Sequence, residues 1–408
     1  MRPVPRVRCR AITAVLLAVL TRQAARAATF EPEVRAEVGH SDVVYYVGEE
    51  PRPDWFAVGA LLLPLRGEGP RNRWELSWEP AAFRHREMAE LDHYEHRVRV
   101  AAESVRREGT SFAVAAGWQR SQEQGDPTST LAGDLFLVPR SELDTSSFLA
   151  SLRRERGARL VWNVEARAAD SNYTPLPDPE ADLPPVVLED RREVEVAAGL
   201  SRLVSRATEV GLECRYLRYE LDVTGDENDH LLSVTTRRRT SERTTVEGRV
   251  GVFRRELEPS ETVEVPGDTT EAGIQAAIGL EHATAQGRVS VTGSHGPSSG
   301  GGLAGTSTDT VVGVRWGSAR ADRLRWGTGA RWAMRDPTIE GDPTLRSVGA
   351  GGDVEWLPKP QIGLRLRADW VRQSGGDAIA RNGSFLTASI GLHWYPLGAT
   401  SRRGPGRR

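Results

Sequence analysis

The sequence predicts an all-β protein: a transmembrane antiparallel up-and-down β-barrel of about eighteen strands, with about sixteen to eighteen the expected range. Three observations predict it: an export leader, segment after segment of period-two alternation, and connections that are short and long by turns. The alternation is clearest from Arg191 to Glu256, where four such runs read as two hairpins. There Val246, Gly248, Val250 and Val252 share one face, and Glu247, Arg249 and Gly251 share the other. A soluble sandwich hides its apolar face between sheets, whereas a membrane barrel turns it to lipid and turns the charged face to a wet lumen.

The leader is explicit. Arg2, Arg6, Arg8 and Arg10 precede the apolar run Ala11 to Leu20, and Ala25-Arg26-Ala27 supplies a small-x-small cleavage site, so residues 1–27 read as a signal peptide. Cys9 lies before the apolar run, which argues against a lipoprotein anchor. Cys214 is the only other cysteine, so the mature chain forms no internal disulfide and must find its stability elsewhere, as a closed barrel does. Of 408 residues, 38% are hydrophobic and 27% charged, and the formal charge of -2 favours no nucleic acid or other polyanion. After the leader no stretch of about twenty apolar residues appears, which excludes a helical membrane protein. A mean hydropathy of -0.44 does not exclude a barrel, because polar lumen and loops dilute the membrane band.

Taken in order, the expected strand cores are Glu33 to Tyr45, Asp54 to Leu65, Asn72 to Phe83, Leu91 to Glu103, Thr110 to Ser121, Asp144 to Arg153, Ala158 to Ala168 and Arg191 to Leu203. Then come Thr208 to Leu221, His230 to Arg238, Arg243 to Glu256, Thr269 to His282, Arg288 to Gly293 and Thr308 to Gly317. Arg323 to Met334, Leu345 to Leu357, Gln361 to Arg372 and Ser384 to Tyr395 complete the set. Connections such as Arg66 to Arg71, Val204 to Ala207 and Pro358 to Pro360 are short. Gln122 to Leu143, Asp170 to Asp190, Leu257 to Asp268 and Ser294 to Ser307 are longer and rich in turn residues. Leu131 to Val138 is assigned to a loop, which keeps the strand number even and both termini on the periplasmic side. The barrel is therefore expected over residues 28–396, followed by a disordered basic tail, 397–408, with Arg402, Arg403, Arg407 and Arg408.

Facing follows from alternation. Ile362, Leu364, Leu366, Ala368 and Trp370 oppose Gly363, Arg365, Arg367 and Asp369; Leu324, Trp326, Thr328, Ala330 and Trp332 oppose Arg325, Gly327, Gly329, Arg331 and Ala333. Trp55, Trp74, Trp162, Trp326, Trp356, Trp394 and Tyr395 fall near strand ends, where amphipathic rings favour the membrane–water boundary.

The runs Asp54-Trp-Phe-Ala-Val-Gly-Ala-Leu-Leu-Leu-Pro-Leu65, Trp74-Glu-Leu-Ser-Trp78 and Leu91-Asp-His-Tyr-Glu-His-Arg97, with the Ser241-Glu-Arg-Thr244 hairpin, resemble the outer-membrane β-barrel proteins encoded with exopolysaccharide and PEP-CTERM/exosortase loci. The resemblance spans nearly the whole mature chain. It implies a porin-like barrel in the Gram-negative outer membrane that acts in polysaccharide or surface-polymer export, with export machinery as a partner and no catalytic residues. The chain departs from the pattern in continuing from Pro396 to Arg408 beyond Tyr395.

The candidate site is the charged lumen face: Glu165, Arg167, Glu195, Glu213, Arg215, Glu247, Arg249, Arg325, Arg331, Asp353, Glu355, Arg365, Arg367 and Asp369. These either line a polar channel or pair across strands, and the two roles are compatible. A lining of mixed sign suits neutral or bulky polar solutes better than a sharp ion filter. The run Asp222 to His230 clusters oxygen ligands but lacks the spacing of a calcium loop and reads as a solvated hairpin tip. Ser294 and His295 point apart with no positioned acid, and Gly300-Gly-Gly302 lacks the Lys-Ser/Thr of a phosphate loop. No cofactor, metal or catalytic residue is expected, and lipid of the outer membrane is the expected surrounding. The alternatives to a channel are a structural or adhesive barrel with a plugged lumen and, third, a lipid-modifying enzyme.

Overall fold

The computed structural model describes residues 28–45, 52–106, 109–123, 141–156, 159–175, 190–222, 224–259, 270–298, 307–318, 323–337, 344–375 and 383–396. The predicted leader, the basic tail, Leu131 to Val138 and Gly300 to Gly302 lie outside these residues. Strand β1 (Ala28–Phe30) and β2 (Glu33–Tyr45) share one register against β3 (Arg52–Glu68), interrupted at Glu31 and Pro32. Proline has no N–H to give a ladder, so the break falls there.

The chain continues through β4 (Asn72–His85), β5 (His93–Val105), β6 (Thr110–Glu123), β7 (Ser141–Arg156), β8 (Leu160–Pro175) and β9 (Arg191–Leu203). Next come β10 (Thr208–Leu221), β11 (Gly225–Ser241), β12 (Thr244–Pro259), β13 (Thr270–Ala283) and β14 (Gly287–Ser298). The last are β15 (Ser307–Ser318), β16 (Leu324–Pro337), β17 (Leu345–Lys359), β18 (Ile362–Ser374) and β19 (Gly383–Trp394). Each pairs antiparallel with its neighbours in sequence. Strand β19 then pairs with β2, from Trp394 opposite Val34 to Thr387 opposite Ser41, and the sheet closes. Eighteen strands, β2 to β19, make one up-and-down barrel without an exposed edge.

All eighteen expected strands are present, several longer than their predicted cores. Strands run into several of the expected loops, as β8 does to Pro175 and β14 to Ser298, and one connection differs most. On the side of the long loops, β10 and β11 join through Asp222 to Thr224 alone, because Gly225 takes φ 107° and pairs back with Leu221. The supposed loop residues from Gly225 to His230 therefore belong to a strand.

The two faces separate as predicted. Outward positions on β12 run Val246, Gly248, Val250, Val252 and then Arg254 and Glu256; on β9 they run Leu200, Ala198, Val196, Val194 and then Arg192. Ile274 is 63% exposed and Leu366 57%, values that no core residue of a soluble sandwich would show. On β9 nine residues separate the outward Arg192 from the outward Arg202, about the strand length that crosses a hydrocarbon core. Trp55, Trp356 and Trp394 are exposed on its margins. Tyr395 departs from the girdle expected for it: one residue past Trp394 it turns inward and is buried beside Leu357. Trp74 faces outward but lies flat over Gly67, where an added Cβ would come within 2.1 Å of its ring.

The inward face is polar along most of its height, yet toward the long-loop side it carries apolar clusters. Leu217, Tyr219, Leu221, Leu231 and Phe253 form one, Phe56, Val58 and Phe83 another, and Ala333, Leu345 and Val371 a third. The β4–β5 connection shows what they are for. It makes a single 3-10 turn, Ala89–Leu91, with Leu91 and Met88 buried. Asp54, inward on β3, accepts the backbone N–H of Met88 at 3.1 Å and of Glu87 at 3.2 Å, so the segment is pinned to the inner wall.

Candidate functional site

On their strands the fourteen lumen candidates alternate with exposed apolar residues such as Val164, Val196, Leu212, Val250, Leu324, Val354 and Leu366, so they stand on the opposite face of the sheet. The structure joins six of them into one chain of ion pairs. Arg167 contacts Glu165 at 2.6 Å and Glu195 at 3.9 Å; Arg215 contacts Glu195 at 3.2 Å and Glu213 at 2.9 Å; Arg249 contacts Glu213 at 3.0 Å. The chain thus crosses from β8 to β12. Arg249 reaches Glu213 over β11 because Ser233 and Thr235 there are short. Glu247 pairs instead with Arg237 at 3.0 Å. Arg331 also faces inward, opposite Gly313 and Gly349.

A second group lies where the barrel closes. Arg365 pairs with Asp353 at 3.2 Å, Arg367 with Asp369, and Arg325 with Glu355 at 3.2 Å. Glu355 also accepts a hydrogen bond from Tyr395 Oη at 2.5 Å and has His393 Nδ1 at 3.4 Å. His393 Nδ1 is 3.3 Å from Glu33, which pairs with Arg35 at 2.9 Å, and Arg35 reaches Glu79 at 2.9 Å. Side chains from β2, β4, β16, β17 and β19 and from the residue after β19 are therefore tied across the seam between first and last strands. Glycine makes the room: a Cβ at Gly363 would stand 2.7 Å from Glu355 Oε1, and one at Gly351 only 2.2 Å from Asp369 Oδ1.

Sequence reasoning missed Glu33, Arg35, Glu79, His393 and a third group on the loop side. There Arg255, 1% exposed, meets Glu227 at 2.8 Å, Asp229 at 3.1 Å and Glu271 at 3.6 Å, and donates to the Ser307 carbonyl at 3.2 Å. Arg335 and Asp309 pair at 2.9 Å nearby. The signal was masked, because the β11–β12 ladder shifts by one residue between Arg239 and Ser241: counting from the Ser241-to-Thr244 turn would put Asp229 opposite Glu256, whereas in the structure it stands opposite Arg255. The same geometry disposes of the calcium reading. Glu227 and Asp229 face inward to Arg255, whereas Asp226 faces outward to Arg218 at 2.7 Å, so the oxygens are split between faces. Among the described residues no group of three or more His, Cys, Asp or Glu is placed to hold a metal. Ser294 and His295 sit on strand β14 rather than on a loop, and His295 pairs with Thr310 at 2.8 Å.

The lumen is unevenly wetted. Arg167, midway, is 55% exposed, and Arg237, toward the short turns, is 60%. Toward the long loops Glu227, Asp229, Arg255, Arg335 and Gln373 are almost wholly buried. The interior is thus wetted around Arg167 and Arg237 and packed at the loop side, while the seam group forms a second packed patch toward the short turns, where Glu33, Leu357, His393 and Tyr395 are buried.

No family model matches the sequence, and no curated protein does. Among solved structures the chain is similar to OccK2 (OpdF) of Pseudomonas aeruginosa, with 11% identity, 91% of this chain and 98% of that one covered, and a TM-score of 0.47. It is similar to OccAB3 of Acinetobacter baumannii, with 12% identity, 90% and 99% covered and a TM-score of 0.45. A BenF-like porin from Pseudomonas fluorescens Pf-5 gives 10% identity, 91% and 98% covered and a TM-score of 0.47. The likeness is one of fold.

The seam group yields a prediction. Tyr395→Phe removes the hydroxyl donor to a buried carboxylate and is expected to destabilise the closed barrel by about 1–3 kcal/mol. Urea unfolding, followed by the loss of the compact gel band, reads this directly. An unchanged midpoint would remove Tyr395 from the closure.

Proposed function

We propose that the chain is a porin-like channel of the Gram-negative outer membrane, short turns in the periplasm, and that it passes polar solutes of low net charge. The carrying observation is the closed eighteen-stranded wall, whose outward face is apolar across a bilayer thickness and whose lumen holds both charge signs interleaved. Barrels of about sixteen to eighteen strands leave an aqueous bore. Interleaved pairs cancel one another at a distance, so the wall offers hydrogen bonds along its length without a net field. A long neutral or weakly charged polysaccharide moving outward is the cargo class we favour, on the resemblance carried by Asp54 to Leu65, Trp74 to Trp78 and Leu91 to Arg97.

A second reading, a structural barrel with a plugged lumen, is favoured by the burial of Arg255, Glu227 and Asp229 at the loop side. Planar-bilayer recording separates the two. The channel reading predicts single-channel steps with weak ion preference, and Arg167→Gln with Arg249→Gln should shift the reversal potential toward cations. Folded protein that never conducts would leave the structural reading.

Membrane placement is tested by substitution. Leu366 faces outward near mid-band and Arg365 inward. Leu366→Arg should cost about 2–4 kcal/mol and reduce assembled barrel in outer-membrane fractions, whereas Arg365→Leu should assemble nearly normally. Equal assembly of both would contradict the facing.

A further inference from the structure

Three successive hairpins repeat one arrangement of arginines on the short-turn side. In β7–β8 they are Arg154 and Arg159, in β9–β10 Arg202 and Arg206, in β11–β12 Arg238 and Arg243. The first of each pair lies on the outward face just below the apolar band, following Leu152, Leu200 or Thr236; the second sits in the turn. All six are exposed, and among the described residues none is in an ion pair. The acids nearby are otherwise engaged: Glu155 with Arg153 at 3.6 Å, Glu247 with Arg237 at 3.0 Å, and Glu209 with the Ser201 hydroxyl; only Glu242 stands among the turns without such a partner. Alternate strands lie about 10 Å apart, so the six form a strip across one third of the rim. The other short turns do not repeat the pair: the Thr284 to Gly287 turn carries no charge and the β17–β18 turn carries Lys359 alone, while the β3–β4 turn carries Arg71, the β15–β16 turn Arg323, and the neighbouring β5–β6 turn Arg106, which extends the strip toward β6.

We propose that this strip binds the headgroups of anionic glycerophospholipids in the leaflet on the short-turn side, fixing a patch of annular lipid on β7 to β12. The proposal rests on the membrane placement given above. The chemistry is a phosphodiester bearing net negative charge, met by guanidiniums whose stems continue an apolar surface already suited to acyl chains. The outward aim of Arg154, Arg202 and Arg238, beneath lipid-facing Leu152, Leu200 and Val234, is what selects a lipid over a soluble acidic polymer. A soluble partner would approach from the lumen mouth or the turn tips. Each arginine at an anionic surface contributes about a five-fold gain in partition.

Trp162 is a built-in reporter, because it faces outward directly opposite Arg154 and Leu200. The purified barrel is reconstituted with dibrominated phosphatidylglycerol or dibrominated phosphatidylcholine at equal mole fraction. The Trp162 contribution is isolated by comparison with Trp162→Phe. Phosphatidylglycerol should quench Trp162 several-fold more effectively at limiting mole fraction, and the preference should vanish in the Arg154→Gln, Arg202→Gln, Arg238→Gln variant, with compact gel migration confirming that it is folded. Loop-side substitution of Arg192, Arg218 and Arg254 to Gln should leave the preference intact. Equal quenching by the two lipids in the native barrel overturns the proposal, as does a preference that survives the triple substitution. Quenching by neither lipid instead contradicts the membrane placement itself.

Discussion

The pairing of β19 with β2 is the constraint on which the rest of the structure depends. An open sheet of this size would leave two rows of unpaired N–H and C=O groups, which in hydrocarbon cost several kcal/mol per group. Closure removes both rows together. It also makes facing absolute, since a one-residue slip anywhere would carry an entire strand's apolar set into the lumen and its charges outward. The seam is reinforced from inside by Glu33, Arg35, Glu355, His393 and Tyr395, which couple strands far apart in sequence. These groups are worth most as a set, because removal of any one leaves a buried partner uncompensated.

The same closure explains how so many charges are tolerated within the barrel. Where water enters, as around Arg167 and Arg237, pairs need only modest geometry and contribute little to stability. Where it does not, Arg255 is shared among Glu227, Asp229 and, farther off, Glu271, and also donates to the Ser307 carbonyl, so one guanidinium serves several carboxylates. The lumen thus combines a wetted wall around Arg167 and Arg237 with packed patches, one at the loop side, where the Glu87 to Leu91 segment is pinned, and one at the seam.

Much of this was legible in the sequence, for a reason specific to barrels. Period two fixes the face of every residue once a strand is recognised, so Arg365 could be placed inward and Leu366 outward without knowing the fold of anything else. Pairing was less legible. Direct opposites such as Arg66 and Glu75 follow from the register of a short hairpin, but Arg249 reaches across a strand to Glu213, and Arg365 takes Asp353 while Arg367 takes Asp369. Those choices depend on side-chain length and on glycine-made space, not on periodicity. The seam group was invisible because Glu33 and His393 are joined only by closure. Tyr395 misled for a related reason: an aromatic at a strand end signals a girdle only if its parity is outward.

The central claim is that the outward face of β2 to β19 lies in lipid, and Cys214 tests it most directly. It is the only cysteine beyond the predicted leader, and it is exposed on β10 amid Leu212, Leu232 and Val252. A nitroxide attached to Cys214 in the reconstituted barrel should relax strongly with dissolved oxygen and hardly at all with a water-soluble nickel chelate. Strong relaxation by the chelate, with weak relaxation by oxygen, would place this face in water and contradict the account.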